Sequence, residues 1–598
     1  MRTHIMTSHN QENATVIAVF PNKVKIAVDN IDEFINVSGE KNITIGSYLE
    51  ISDNDNAKLI AIIENYSIEI KESDTRVKQY IIEAMPLGVI SNGVFYRGGD
   101  NIAIPPKIAK VASQDDIKKI YEHDLFESKK FVFAKLANLG IPIPVDGNKF
   151  FNKHIALVGS TGSGKSHTVT KIIQEATNSH ITTGYNELNN SHIVIFDIHS
   201  EYKNAFETKK SNYIDIDKLI LPYWLLNSEE LEDILLDTGE RDNYNQSSLF
   251  RTLVTLNKIK HNKEIKKIFY DSPVFFNINE VLRALTNLKN ETVNAKNSNR
   301  IMINDGSYNL ESDGKVKDDT TGVNFSSDSE KYTHYFEAEY TFFCTKPQSI
   351  TKGDYADGSI DKFINRIRSK IGQDRLSFLF GENVKNVTLG NVLEVLISYE
   401  ETQKKNITII DLSGVPFEVL NITVSLIARL LFDVVFYRKK LLNNTDVPLL
   451  LVFEEAHKYV PKSDLTKFRS STLSIERIMK EGRKYGITAM IVSQRPSEVS
   501  ETVFSQCGNF VAMRLTNPTD QNYVQRILPD SFSSLIESLP SLKQGEALLI
   551  GEAIAIPSIV KIDRCEPEPS SSDIPYLEIW RNVWKDASLD DLVEKIIY

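Results

Sequence analysis

The chain reads as an α/β protein built on a mainly parallel sheet, with a small β-barrel before it and a helical insertion within it. Three observations predict this. From His154 onward, apolar runs of strand length (HIALVG, HIVIFD, NITIID, PLLLVFEE, ITAMIVSQ, NFVAMRL, EALLIG) alternate with helix-length segments, and continuous apolar strands between helices belong to a sheet covered on both faces. From Ala14 to about Ile104, short β-branched runs such as ATVIAVF, KVKIAV and KLIAIIENYSIEI are separated by Asn, Asp and Gly, the pattern of a small barrel or sandwich. Between about Leu226 and Asn406 the alternation stops, and LEDILL and DKFINRIRSKI carry helical periodicity.

The expected divisions are a barrel over 1–105, a connector over 106–150, a motor core formed by 151–225 and 406–565, a helical insertion over 226–405, and a tail over 566–598. Pro105-Pro106 opens the connector, and the stretch at about 289–329 is dominated by Asn, Asp, Ser, Gly and Lys, which predicts an exposed loop in the insertion.

With 598 residues, the chain is long enough for at least two cores, and 41% hydrophobic with 25% charged residues is an ordinary globular composition. Three cysteines, Cys344, Cys507 and Cys565, are too few and too scattered for a disulfide framework or a thiolate metal site. The first twenty residues hold no secretory core, and no later stretch is expected to supply the roughly 18 uncharged apolar residues of a membrane span. A cytoplasmic protein with no membrane partner is the expectation. The net charge of -11 argues against a surface coated for nonspecific nucleic-acid binding, although a ring of subunits can still concentrate cations around an axis.

The most specific motif is Gly159-Ser160-Thr161-Gly162-Ser163-Gly164-Lys165-Ser166, followed by His167, directly after the strand His154–Val158. Glycines let the backbone wrap phosphates, amide hydrogens and the next helix N-terminus face the anion, Lys165 neutralises β and γ phosphates, and Ser166 ligates magnesium. ATP and Mg2+ are the implied cofactors. In LLLVFEEAH, a strand ends in Glu454 and Glu455; one acid can position the metal and the other orient attacking water, with the division of roles open. Asp197, ending HIVIFD, is either a third carboxylate for the metal or a structural cap, and His199 and Glu201 beside it are equally open. Gln494, after the strand ending at Ser493, is placed to sense the γ-phosphate. The segment IERIMKEGRKYG offers Arg477 and Arg483; either a salt-bridged helix face or an arginine finger for a neighbouring subunit's phosphate would use them. The Lys258–Lys267 cluster is a candidate DNA-channel loop or a solvated helix face.

Together, HIALVGSTGSGKSHT, VIFDIHSEY, LPYWLL, IIDLSGVP, LLLVFEEAHKYVP, EGRKYGI, SQRPSEV and QGEALLIG, in this order and spacing, resemble the HerA family of hexameric DNA-translocating ATPases. The resemblance implies a barrel followed by a RecA-like motor, a homo-hexamer around double-stranded DNA, Lys165 and Ser166 on phosphate and magnesium, Glu455 as catalytic acid and Arg483 as the finger. It also implies a separate effector enzyme, of nuclease or NADase type, in DNA end processing or defence against phage. The contrasting expectation is an ATPase scaffold that controls such an effector with little DNA movement.

Overall fold

The computed structural model describes residues 14–20, 22–38, 43–54, 57–70, 78–98, 108–122, 125–179, 187–235, 243–304, 323–399, 404–462, 469–527, 533–571, 574–585, 589 and 592–593. Seven strands come first: β1 (Ala14–Phe20), β2 (Lys23–Val28), β3 (Tyr48–Asn54), β4 (Ala57–Ile70), β5 (Lys78–Ser91), β6 (Val94–Arg97) and β7 (Ile108–Val111). They pair in the order β2-β1-β7-β3-β4-β5, β5 returns to β2, and β6 extends from β5. Six strands therefore close an antiparallel barrel around a core that includes Val24, Ile26, Leu49, Ile51 and Ile82. The barrel does not end where the sequence divided it. Strand β7, inside the expected connector, supplies the stave between β1 and β3, and without it both neighbours would be open edges.

The second sheet has eleven strands: β8 (Lys130–Leu136), β9 (Pro142–Asp146), β10 (His154–Val158), β11 (His192–Asp197), β12 (Ser211–Ile214), β17 (Ile407–Asp411), β18 (Leu449–Phe453), β19 (Ile487–Ser493), β20 (Cys507–Met513), β21 (Glu546–Gly551) and β22 (Ser558–Ile562). Their order is β12-β17-β11-β18-β19-β10-β20-β21-β22-β8-β9. The first seven run parallel, and the last four add antiparallel partners. Every residue of β10, β17, β18 and β19 is buried, as strands covered by helices on both faces require. The expected connector is again partly absorbed, since β8 and β9 belong to this sheet and helix α1 (Gln114–Glu122) bridges the two sheets. A buried triangle of hydroxyls joins them: Tyr121 lies 2.7 Å from Tyr48 of the barrel and 2.6 Å from Ser558 of β22.

Helix α2 (Lys165–Asn178) follows β10. The expected insertion carries α3 (Ser228–Leu235), α4 (Asn243–His261), α5 (Ile278–Asn290) and α6 (Asp361–Ile371), but it is not wholly helical. Strands β13 (Thr292–Asn294), β14 (Asn297–Ile301), β15 (Val323–Asn324) and β16 (Ile350–Lys352) form a small antiparallel sheet, so the described ends of the polar stretch at 289–329 are paired; residues 305–322 lie outside the described set. Helix α7 (Phe417–Leu442) corrects another expectation. By length and composition it could cross a membrane, with a window hydropathy of 2.0, yet 78% of that window is buried in the protein. A helix packed on most sides is apolar for the same reason as a lipid-facing one. Helix α8 (Arg469–Glu481) packs beside it. Arg429 of α7 ties down the insertion through a buried ion pair with Glu230 of α3, Nη2 to Oε2 2.7 Å.

Candidate nucleotide site

The loop Gly159–Gly164 joins the buried strand β10 to α2. Its shape depends on its glycines: Gly162 and Gly164 have φ of 72° and 103°, which L-residues avoid, and a Cβ on Gly159 would lie 2.6 Å from Ser163 Oγ and 2.8 Å from Met513 Cβ. The loop is also tied to both neighbouring strands. Ser160 donates its amide to the Arg514 carbonyl after β20 at 2.8 Å, and Thr161 donates its hydroxyl to Gln494 Oε1 after β19 at 2.7 Å. No side chain caps α2, whose N-cap is Gly164, so its first amides are left to face an anion. Lys165 is buried at the opening of that helix.

Around it the strand tips supply carboxylates. Ser166 donates its hydroxyl to Glu201 Oε2 at 2.5 Å, which makes Glu201 the acid that meets the serine expected to ligate magnesium. Asp197 is occupied differently. Fully buried, it accepts the backbone amides of His199, Glu201 and Tyr202 at 3.0–3.2 Å and so caps the turn that presents Glu201. Burial raises its pKa despite those three bonds. The expectation of Asp197 as a direct metal ligand gives way to the cap, because three amides already use its oxygens. His199 is engaged with Lys458, its Nε2 3.1 Å from Lys458 Nζ.

The paired acids divide by environment. Glu454 is fully enclosed, and burial, with Glu455 and Glu201 adding to it, pushes its pKa up to about 8 even though Tyr202 donates a 2.6 Å hydrogen bond to Oε2. Glu455 sits in a left-handed backbone conformation, φ 48°, of a kind that persists where the surrounding structure over-determines it. Its Oε2 lies 3.2 Å from His457 Nδ1 but receives no hydrogen bond from any described residue. The His457 ring, with its pKa lowered by burial, lies 3.4 Å from Ser493 Oγ, one residue before Gln494. Glu455 is thus a buried acceptor that lacks a donor, the requirement for holding a water. Sequence reasoning missed Tyr202 and His457 and left Glu201 undecided. The HSEY and EEAH strings held them, but nothing in a string says which side chain turns toward which.

For magnesium the donor set fits: the Ser166 hydroxyl and the Glu201 carboxylate are the hard oxygens it prefers, Glu454 would join them on giving up its proton, and it needs only one or two protein ligands beside phosphate and water. The C-terminal segment, expected as a tail, packs here too. Ser570 donates its amide to the Glu201 carbonyl, Gln174 of α2 donates to the Pro567 carbonyl, and His167 lies 3.4 Å from Ser571 Oγ.

The two arginines separate. Arg477 is held by its own chain, its guanidinium 4.2 Å over the Phe432 ring and 3.9 Å from Asp433. Arg483 is exposed in the turn before β19, at the end of that strand opposite Gln494. Lys258 is buried, with its ammonium bound to the carbonyls of Tyr270 and Ser272 at 2.5 and 2.7 Å and its pKa pushed down to about 8 by burial. It cannot line a channel, whereas Lys263, Lys266 and Lys267 are exposed.

A phosphate loop between a buried parallel strand and a helix, with two acids just after β18 and one strand, β19, between that strand and the loop strand β10, defines a P-loop nucleoside triphosphatase with a RecA-like sheet. The family profile "Helicase HerA, central domain" matches residues 131–431, half of the chain. The chain belongs to the HerA helicase family and is a P-loop ATPase. Similar proteins include the DNA double-strand break repair helicase HerA of Saccharolobus solfataricus, 23% identical over 92% of this chain and 93% of that one, and a probable helicase of Methanocaldococcus jannaschii, 24% identical over 74% and 68%. Among solved structures, VirB4 of Thermoanaerobacter pseudethanolicus aligns with a TM-score of 0.44 at 13% identity, covering 75% of this chain and 98% of that one.

Proposed function

We propose that the protein is an ATP-driven motor that assembles head to tail as a homo-hexamer around double-stranded DNA and moves along it. One observation carries the reading: Arg483 and the phosphate loop lie at opposite ends of the adjacent parallel strands β19 and β10. A seven-residue strand spans about 20 Å, so Arg483 is out of reach of its own chain's nucleotide and serves the γ-phosphate bound by a neighbour. The relatives named as DNA repair helicases support DNA as the track.

In this reading Lys165 and the open amides of α2 hold the phosphates, while Ser166, Glu201 and Glu454 hold magnesium, whose role is to neutralise phosphate charge. Glu455, with its unpaired oxygen, orients water for attack on the γ-phosphorus. Gln494, bonded to Thr161 of the loop, senses whether that phosphate is present and passes the change to β19, which the Arg483 turn precedes. A separate effector of nuclease or NADase type, working in DNA end processing or phage defence, completes the proposal, and the protein acts in the cytoplasm.

The test is ATP turnover with and without duplex DNA, together with ATP-driven displacement of a protein block from that DNA. Stimulated turnover and displacement, both absent in Lys165→Ala, are expected. A monomer that hydrolyses ATP at full rate regardless of DNA overturns the motor. Ring formation without displacement transfers the function to a scaffold.

A further inference from the structure

Two neighbouring strand tips end in aspartate, and both hold the same short turn. Asp197 closes β11 and Asp411 closes β17, as register partners on adjacent parallel strands. The turn is residues 198–202, which sends Glu201 to Ser166 and Tyr202 to Glu454. Asp197 takes the amides of His199, Glu201 and Tyr202. Ser200, in the middle of the turn, is held by its side chain instead, and its hydroxyl donates to Asp411 Oδ2.

Ser200 needs that second anchor. Its φ is 58°, a left-handed conformation that a serine keeps only where its surroundings impose it. Asp411 has the partners to impose it. Only 6% exposed, it also accepts the Tyr213 hydroxyl on Oδ2 and the Ser413 amide on Oδ1, the latter at 2.9 Å. A cap on the loop after β17 explains the Ser413 bond alone. The two hydroxyls come from the β11 turn and from β12, and they lie 3.0 Å apart beside one carboxylate oxygen. Burial raises the Asp411 pKa, but the bonds from Ser200, Tyr213 and Ser413 outweigh it and hold the carboxyl below its ordinary value, so the acceptor stays charged at neutral pH.

Asp411 lies away from the chemistry. Strands β11, β18 and β19 separate β17 from the loop strand β10, which makes four strand spacings or about 19 Å, so Asp411 reaches the phosphates only through the turn. We infer that Asp411 is a positioning residue of the nucleotide site: by fixing Ser200 in its left-handed conformation it aims Glu201 at Ser166, and so sets how tightly magnesium is held beside the nucleotide. This positioning rests on the reading of Glu201 as a magnesium ligand, which Glu201→Gln tests by itself. Outer partners of metal ligands commonly carry about tenfold or more of the metal affinity.

The experiment compares the full-length parent with Ser200→Ala, Asp411→Asn and Glu201→Gln, each checked for folding by melting. Ser200→Ala breaks the link while leaving Asp411 its bonds to Tyr213 and Ser413, so it carries the test should Asp411→Asn not fold. Hydrogen exchange of the His199, Glu201 and Tyr202 amides in the ligand-free protein is expected to speed up about tenfold in Ser200→Ala. The gain in ADP affinity on adding magnesium, read by calorimetry, is expected to fall about tenfold in both Ser200→Ala and Glu201→Gln, with ADP affinity in the absence of magnesium unchanged. Combining the two substitutions should deepen that loss no further, because both act through one carboxylate. Unaltered exchange overturns the inference at the turn, and additive losses in the double variant overturn the route through Glu201. If exchange quickens while the magnesium gain stays intact in Ser200→Ala and is lost in Glu201→Gln, the positioning role of Asp411 falls and Glu201 keeps its place. If Glu201→Gln loses nothing either, the reading of Glu201 falls and takes the inference with it.

Discussion

Glu454→Gln replaces the most strongly perturbed carboxyl in the candidate site with a neutral amide that still accepts the Tyr202 hydrogen bond. An acid whose folded pKa lies above its unfolded value binds more protons when folded. Its contribution is therefore complete at low pH and is lost as pH rises through the folded value. For Glu454 the interval runs from 4.5 to about 8. At ~1.4 kcal/mol per pH unit, this costs the ligand-free protein on the order of 4 kcal/mol between pH 4.5 and pH 8. The amide pays none of it. Melting of the parent and Glu454→Gln, without nucleotide or magnesium, should coincide near pH 4.5 and separate by about 5 °C in favour of the variant at pH 8; titrating groups remote from Glu454 cancel in the difference. Equal melting points at both pH values, or a variant less stable at pH 8, would refute the claim that burial holds this carboxyl protonated.

Three further outcomes follow from the geometry. Glu201→Gln keeps a hydrogen-bond partner for Ser166 but loses its charge, and the magnesium concentration for half-maximal ATP turnover should rise about tenfold or more; an unchanged requirement removes Glu201 from the metal site. Arg429→Met strands the fully buried Glu230 carboxylate and should destabilise by roughly 3–5 kcal/mol, with part of the loss recovered in the double variant with Glu230→Gln; a neutral effect in thermal melting contradicts the pairing. Gly159→Ala should fold yet bind ATP poorly in calorimetry, because the added Cβ displaces Ser163 and Met513 and reshapes the phosphate loop.

Much of the scaffold was legible because its causes are local. The fully apolar strands β10, β18 and β19 announce double-sided burial, and Gly159 to Ser166 announces a loop whose left-handed backbone at Gly162 and Gly164 follows from residue type. The misplaced boundaries were non-local. Ile108–Val111 looks like linker until it is paired between β1 and β3, and the apolar run of α7 looks the same to a sequence reader whether lipid or a sheet covers it.

The sequence by itself determined that a triphosphate-gripping loop sits on a parallel sheet and that two acids end one of its strands, since these depend on residue type and short spacing. Only the tertiary structure decided that Asp197 caps a turn while Glu201 meets Ser166, that Glu454 is sealed and Glu455 left without a donor, and that Arg477 is engaged while Arg483 stands exposed at the end of β19 away from the phosphate loop. Those outcomes depend on strand order and on the depth at which each charge is enclosed. Strand order arises from pairings between residues hundreds of positions apart, such as Ile155 with Met490, and the depth of enclosure follows from it.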